Sequence, residues 1–127
     1  TIFAGLINHS ESTLIYAVGG HHPMPVYKSS NSIYALEGRG MPVGLFPEAV
    51  FSQHQIALEA DFSLSLFSDG VLELLPQSSI SEKELSLFKW LECNNTDLDG
   101  LKSYIFDSSE HLEQYPDDIT IMTVSRI

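Results

Sequence analysis

The stretch Phe62-Ser63-Leu64-Ser65-Leu66-Phe67-Ser68-Asp69-Gly70 carries the strongest structural signal in the chain. Its large apolar residues alternate with serines, which is the two-residue period of a β-strand over residues 62–68. Asp69 follows directly at the end of this apolar strand. Gly70 comes next, and glycine permits backbone angles that other residues rarely adopt. A charged group at this place requires solvent or a specific partner, so the end of the strand is a candidate site.

Two interpretations of Asp69 stay open on this stretch alone. A hard divalent cation such as Mg²⁺ or Mn²⁺ is bound through a few carboxylates and keeps several waters, and Asp69 would suit it as a ligand. An Asp that caps an ordinary turn is the structural alternative, because Asp-Gly pairs are common in turns.

A second acidic motif, Asp117-Asp118-Ile119-Thr120, precedes the last apolar segment. Residues 119–125 are predicted to form the closing strand. If this strand lies antiparallel beside residues 62–68, the start of one lies next to the end of the other, and Asp69 meets Asp117. Successive strand residues point to opposite faces, so one of the two acids can face a site while the other faces solvent. A solvated acidic turn after Pro116 is the alternative.

Turn residues at short intervals predict a mostly antiparallel sheet in the first half of the chain. The other predicted strands cover residues 2–7, 14–18, 25–28 and 33–36, the first two as a hairpin, and residues 38–47 form an ordered Gly- and Pro-rich loop. Ser81 and Glu84 have the spacing of a capping box, with Leu85, Phe88 and Leu91 on one helix face. Asp97 is expected to cap a second helix, on which Leu98, Leu101, Ile105 and Leu112 share a face. The order predicts an α+β fold with helices on a mostly antiparallel sheet.

Composition narrows the classes of function. The chain has 127 residues and a net charge of −11, which disfavours general binding to nucleic acid or to an anionic membrane surface. No segment approaches the roughly 20 apolar residues of a membrane span. A single cysteine, Cys93, cannot form an internal disulfide, so a reducing, cytoplasmic setting is expected.

A third motif is Gly19-Gly20-His21-His22-Pro23. Adjacent histidines on an extended chain cannot share one metal, and neither has a histidine three or four residues away as helical zinc motifs do. A structural tight turn with a hydrogen-bonded His21 is therefore the favoured interpretation.

In order and spacing, these motifs resemble the C-terminal part of a type 2C metal-dependent protein phosphatase domain, in the branch of bacterial sporulation stage II E proteins and stress-response regulators. The matching segments are Gly19-Gly20-His21-His22-Pro23, Gly40-Met41-Pro42-Val43-Gly44-Leu45, Ala60-Asp61 with the strand into Ser68-Asp69-Gly70-Val71-Leu72-Glu73, and Asp117-Asp118-Ile119-Thr120. The resemblance covers nearly all 127 residues as one domain, with small-for-small departures at Gly19, Ala60 and Ser68. The family's N-terminal half, which supplies the carboxylates that bridge the metals, has no match here.

The resemblance implies a four-layer α-β-β-α sandwich with two mostly antiparallel sheets. It implies hydrolysis of phosphoserine or phosphothreonine on a regulatory protein of the anti-sigma-antagonist type, with two Mg²⁺ or Mn²⁺ ions as cofactors. Asp69 and Asp117 are the implied metal ligands, with Asp118 a further candidate because the register of the pair is uncertain by one residue. Gly70 and His21 would lie near the site.

The lack of a match to the family's N-terminal half affects what is expected of this chain. These residues alone are expected to be inactive and to fold only with further residues or as a homodimer that completes the sandwich. A degenerate, non-catalytic adaptor or partner-binding output domain of a response regulator is the competing interpretation. The sequence that precedes Thr1 in the parent protein would discriminate between the two.

Overall fold

A computed structural model describes residues 1–94, 97–108 and 114–126, which form an α+β fold with two antiparallel sheets. The elements in chain order are β1 (Ile2–Asn8), β2 (Thr13–Gly19), β3 (Val26–Ser29), β4 (Ile33–Ala35), β5 (Gln53–Ala57), β6 (Phe62–Phe67), α1 (Gly70–Leu74), α2 (Ile80–Cys93), α3 (Leu98–Asp107) and β7 (Ile121–Arg126).

The strands divide between two sheets. One sheet has the order β1-β2-β5 and the other has the order β4-β3-β6-β7. The predicted hairpin of the first two strands is confirmed, because β1 pairs antiparallel with β2 from Ile2↔Gly19 to Asn8↔Thr13. β5 was not predicted from the sequence, because Gln53, His54 and Gln55 lack the apolar side chains from which the other strands were predicted.

β6 lies inside its sheet and is buried on both faces. Phe62, Leu64 and Leu66 pack between the two sheets with residues of β2 and β3. Phe67 lies on the opposite face, in a second core shared with the helices. The two cores make three layers, sheet on sheet with helices outside, which are part of the α-β-β-α sandwich.

β7 pairs antiparallel with β6 over six residues, from Phe62↔Arg126 to Phe67↔Ile121, as the sequence predicted. The strand begins at Ile121 rather than at Ile119. The chain before it therefore crosses the end of β6 as an irregular segment, and this segment carries both acidic residues of the second motif.

The predicted capping box at Ser81 and Glu84 is wrong, because Ser79 and Glu82 form it two residues earlier. The backbone N–H of Glu82 donates to Ser79 Oγ at 3.3 Å, and Ser79 N–H donates to Glu82 Oε2 at 3.0 Å. Both serines precede a glutamate by three residues, so sequence spacing alone did not discriminate between them. With the earlier start Leu87 and Leu91 are buried, whereas Leu85 is 51% exposed.

The predicted cap of the last helix is confirmed, since Asp97 Oδ1 accepts a hydrogen bond from the N–H of Gly100 at 2.7 Å. Leu101 and Ile105 are buried in the helix core, but Leu98 is 44% exposed. The predicted place of Leu112 on the same helix face lies outside the described residues.

The outer face of the first sheet carries exposed apolar side chains on its edge strand, β1. Ile2 is 48% exposed and Leu6 is 65% exposed. The dimer or the further residues expected to cover this sheet stay a prediction. No helix in the described parts of the chain is both long enough and apolar enough to cross a bilayer.

Candidate functional site

Asp69 lies where β6 turns into α1, at the N-cap position of that helix. Its side chain makes no capping hydrogen bond and is exposed. The interpretation of Asp69 as the side-chain cap of a turn is therefore wrong. The carboxylate is presented at the end of a buried strand without serving the fold as a cap.

Ser68 joins the end of β6 to the segment that precedes β7. Its backbone N–H donates to the carbonyl oxygen of Thr120 at 2.9 Å. Its hydroxyl accepts from the N–H of Thr120 at 2.8 Å and donates to the carbonyl oxygen of Asp118 at 3.1 Å. Three hydrogen bonds thus fasten residues 118–120 directly beside the candidate ligand Asp69.

Gly70 also lies close to the acidic segment, by direct packing of backbone atoms. The place where residues 68–70 meet residues 117–120 is called the junction below. A Cβ atom at position 70 would lie 2.3 Å from the carbonyl oxygen of Asp118 and 3.4 Å from Cβ of Asp117. Only glycine lets the acidic segment approach α1 so closely. The fold therefore brings the backbones of the Asp69-Gly70 and Asp117-Asp118 pairs together, 48 positions apart in the chain.

The two acids of the second motif are both exposed. The backbone N–H of Asp118 donates to Oδ1 of Asp117 at 2.7 Å, so this carboxylate is oriented by its own turn. Within residues 1–94, 97–108 and 114–126, no three His, Cys, Asp or Glu side chains converge as a metal-binding group. That Asp69 and Asp117 lie within bridging reach of a metal stays a prediction.

A pocket of about 320 Å³ opens beside the junction, and its walls include His21, Ser68, Asp69 and Thr120. Asp69, a predicted metal ligand, and His21, which was predicted to lie near the site, thus share one pocket. Ser68 and Thr120 were not predicted to contribute. In the sequence, these two residues stand out only by their places in the two acidic motifs, where Ser68 precedes Asp69 and Thr120 follows Ile119.

The loop at Gly20 fixes the position of His21. Gly20 has a φ of +69°, and its N–H donates to the carbonyl oxygen of Gly40 at 3.0 Å. A Cβ atom there would lie 2.9 Å from Cα of Pro42, so the predicted loop 38–47 packs directly on this turn. Gly20 is required both by its angle and by this contact.

The expectation that His21 is hydrogen-bonded is wrong for one of its nitrogens. Nε2 of His21 is buried and has no hydrogen-bond partner among the described residues. Burial lowers the pKa of the imidazole below its ordinary value of 6.5, against the opposing effect of the Asp69 carboxylate. Burial therefore favours the neutral form of this side chain.

The whole chain, residues 1–127, matches the family described as "Stage II sporulation protein E (SpoIIE)". The chain belongs to the SpoIIE family. This result confirms the resemblance seen in the motifs and the α+β sandwich.

Two relatives of the SpoIIE-family chain match over 99% of its length. It is 29% identical to the phosphoserine phosphatase RsbU of Bacillus subtilis and 27% identical to protein IcfG of a Synechocystis species. The chain spans 38% of the length of RsbU and 20% of the length of IcfG.

Solved structures show the same SpoIIE-family fold. The phosphatase domain of SpoIIE from Bacillus subtilis, presoaked in manganese, superposes with a TM-score of 0.75 at 16% identity, over 98% of this chain and 56% of that one. The RsbU and RsbW domains of Rv1364c from Mycobacterium tuberculosis give a TM-score of 0.75 at 19% identity, over 98% and 35% of the two chains.

Proposed function

We propose that the protein carrying this chain hydrolyses phosphoserine or phosphothreonine on a regulatory partner protein in bacterial signalling. The observation that carries the proposal is the exposed Asp69 carboxylate, which makes no capping hydrogen bond. It lies between Ser68 and Gly70, the two residues that contact the Asp117–Asp118 segment. Membership of the SpoIIE family and the similarity to a phosphoserine phosphatase support the choice of reaction.

The donor chemistry at the junction fits two Mg²⁺ or Mn²⁺ ions. Carboxylate oxygens are the ligands that these hard cations prefer, and the site offers them from Asp69, Asp117 and Asp118. Asp69 and Asp117 are the proposed ligands and Asp118 is the further candidate. The remaining ligands would come from water, from the substrate phosphate and from parts of the protein outside this chain.

The residues of this chain would have different roles at the proposed metal site. When bound, the ions supply an activated water nucleophile and stabilise negative charge on the phosphoryl oxygens. Asp69 and Asp117 would hold the ions, and Gly70 would keep the two acidic segments close together. His21 would form a wall of the same pocket that Asp69 lines.

The proposed partner is a phosphorylated regulatory protein of the anti-sigma-antagonist type. One of the similar structures contains an RsbW domain next to its RsbU domain, which supports a role in this kind of partner switching. A cytoplasmic setting is part of the proposal, and the exposed free thiol of Cys93 is compatible with it.

Turnover by the full-length protein tests the proposal. We expect it to hydrolyse a generic aryl phosphate and a phosphoserine protein with Mn²⁺ or Mg²⁺, and to lose this activity with a chelator. The present 127 residues alone should hydrolyse the aryl phosphate little above background, because they supply only part of the ligand set.

A non-catalytic adaptor is the second candidate function. The described parts of the chain hold no group of three His, Cys, Asp or Glu side chains that could hold a metal ion, so the adaptor function applies if the rest of the protein supplies no further metal ligand. A full-length protein that binds its partner but neither binds Mn²⁺ nor hydrolyses phosphate would establish the adaptor function and exclude the phosphatase.

A further inference from the structure

The hydroxyl of Ser68 replaces a backbone acceptor in the β6–β7 ladder. In a regular antiparallel ladder, every second pair of opposed residues exchanges both of its N–H to C=O hydrogen bonds. Ser68 and Thr120 are the next opposed pair after Phe67↔Ile121. The bond from Ser68 N–H to Thr120 C=O is present, but the N–H of Thr120 donates to Ser68 Oγ instead of to the backbone carbonyl.

The backbone carbonyl of Ser68 is engaged elsewhere. It accepts a hydrogen bond from the N–H of Val71 at 3.2 Å, in the first turn that leads into α1. The chain can therefore turn sharply at Asp69 while the sheet still extends one residue further. Both are possible because the hydroxyl of Ser68 accepts the hydrogen bond from Thr120, which leaves the Ser68 carbonyl free to accept from Val71.

The same hydroxyl also donates its proton to the carbonyl oxygen of Asp118 at 3.1 Å. That oxygen is the atom that packs against Gly70. One small group must thus accept a hydrogen bond from Thr120 and donate one to Asp118. Serine and threonine hydroxyls meet this requirement, and an alanine or valine side chain does not.

We propose that Ser68 is a positioning residue of the metal site, whose hydroxyl sets the separation between Asp69 and the Asp117–Asp118 pair. The inference rests on the proposed metal-dependent function. Groups that orient metal ligands without touching the metal commonly contribute about 10- to 100-fold to metal affinity. Ser68 would act in this way because its hydroxyl binds backbone atoms of Asp118 and Thr120, while its own backbone leads directly into Asp69.

The test compares three forms of the full-length protein, which are wild type, Ser68→Ala and Ser68→Thr. We expect Ser68→Ala to raise the Mn²⁺ dissociation constant, measured by calorimetry, by about 10- to 100-fold. Turnover at low Mn²⁺ should fall and should recover at saturating Mn²⁺. Ser68→Thr keeps a hydroxyl and should bind Mn²⁺ as wild type does.

Ser86→Ala is the matched control. Ser86 Oγ accepts from Gln77 Nε2 at 3.2 Å and shares a hydrogen bond with the Tyr104 hydroxyl at 2.5 Å, away from the site. This variant also loses two hydrogen bonds of a serine hydroxyl, so it reports the effect of lost stability alone. We expect wild-type Mn²⁺ affinity from it.

Hydrogen exchange at the amide of Thr120 supplies a readout that does not depend on activity. Exchange should accelerate in Ser68→Ala and stay slow in Ser68→Thr. If Ser68→Ala fails to fold, Ser68→Cys replaces it, and the weak donor and acceptor of its thiol should give an intermediate Mn²⁺ affinity.

Two results would overturn the positioning role while leaving the proposed function intact. One is wild-type Mn²⁺ affinity in Ser68→Ala despite faster exchange at Thr120, and the other is an equal loss of affinity in Ser86→Ala. A wild-type protein that neither binds Mn²⁺ nor turns over phosphate would overturn both proposals together, since no metal site would exist to position.

Discussion

Gly70 lies directly against the carbonyl oxygen of Asp118, which a Cβ at position 70 would approach to 2.3 Å. Gly70→Ala must therefore displace the acidic segment, since the obstructing atom is backbone rather than a flexible side chain. We expect a loss of unfolding free energy of about 1–3 kcal/mol. Mn²⁺ affinity and phosphatase turnover should fall as well, because the displacement alters the separation of Asp69 and Asp117.

Gly44→Ala is a suitable control for this variant. Gly44 has a φ of +84°, so alanine is strained there, yet a Cβ atom would meet nothing within 4 Å. The control should lose about 1–2 kcal/mol of stability and keep its metal affinity. Equal Mn²⁺ binding by Gly70→Ala and wild type would show that the close contact serves the fold alone.

Asp69→Asn in the full-length protein removes a charge but keeps the shape of the side chain. Because Asp69 makes no capping hydrogen bond, the fold should not depend on its charge. We expect turnover with Mn²⁺ to fall by more than about 100-fold, since even groups behind the ligands contribute about 10- to 100-fold. Thermal unfolding should be close to that of wild type.

Asp99→Asn, in the first turn of α3, removes an exposed carboxylate away from the site and should keep full activity. Equal turnover by Asp69→Asn and wild type would exclude a role for Asp69 as a metal ligand. Inactivity of all three proteins would instead favour the adaptor function.

The sequence predicted the elements whose pattern is local and strong. The alternation predicted the strand β6, although not the burial of Ser63 and Ser65 on its second face. The pairing of β6 with β7 followed from antiparallel geometry. This pairing is also why the meeting of the two acidic segments could be anticipated. The helix cap at Asp97 was equally local.

Other features depend on contacts between segments distant in sequence. Alternation identifies the face of a strand but not its neighbours, so the division into two sheets followed only from the family resemblance and not from the strand pattern. α1 has five residues, too few for a helical period to show. The bridge from Ser68 to residues 118–120 joins parts of the chain about 50 positions apart, and a serine in the sequence does not reveal which backbone groups it will serve.

Lys28 forms another contact of this kind. Its Nζ donates to the carbonyl oxygens of Leu91, Glu92 and Asn94 at 2.6, 3.2 and 2.6 Å, at the end of α2. This helix has no basic residue in its own last turn, so Lys28 of β3 supplies the cation that helix C-termini favour. Lys28→Met should lower the unfolding free energy by about 1–2 kcal/mol.

Urea unfolding of the full-length protein measures this loss. Lys89→Met, which removes an exposed lysine of the same helix, is the matched control and should change stability by less than about 0.5 kcal/mol. Similar losses in the two variants would mean that the lysine at position 28 contributes only general charge.

Glu59 ties the turn between β3 and β4 to the start of β6, and this contact should depend on pH. Its carboxylate accepts from Asn31 Nδ2 at 2.5 Å, from Ser29 Oγ at 2.8 Å and from Ser32 Oγ at 3.1 Å. These hydrogen bonds, that of Asn31 first, lower the pKa of Glu59 below its ordinary value of 4.5.

A lowered pKa in the folded state means that the unfolded chain takes up the proton first as the pH falls. The stability that Glu59 contributes is therefore fully present above pH 4.5 and is lost as the pH drops through the lowered value.

Glu59→Gln lacks the charge at every pH. The difference in melting temperature between wild type and Glu59→Gln should thus be constant from pH 7 to 5 and should shrink below pH 4.5. Asn31→Ala removes the largest cause of the shift and should reproduce part of the same trend. A difference that stays constant down to pH 3 would show that the hydrogen bonds to Glu59 do not depend on its charge.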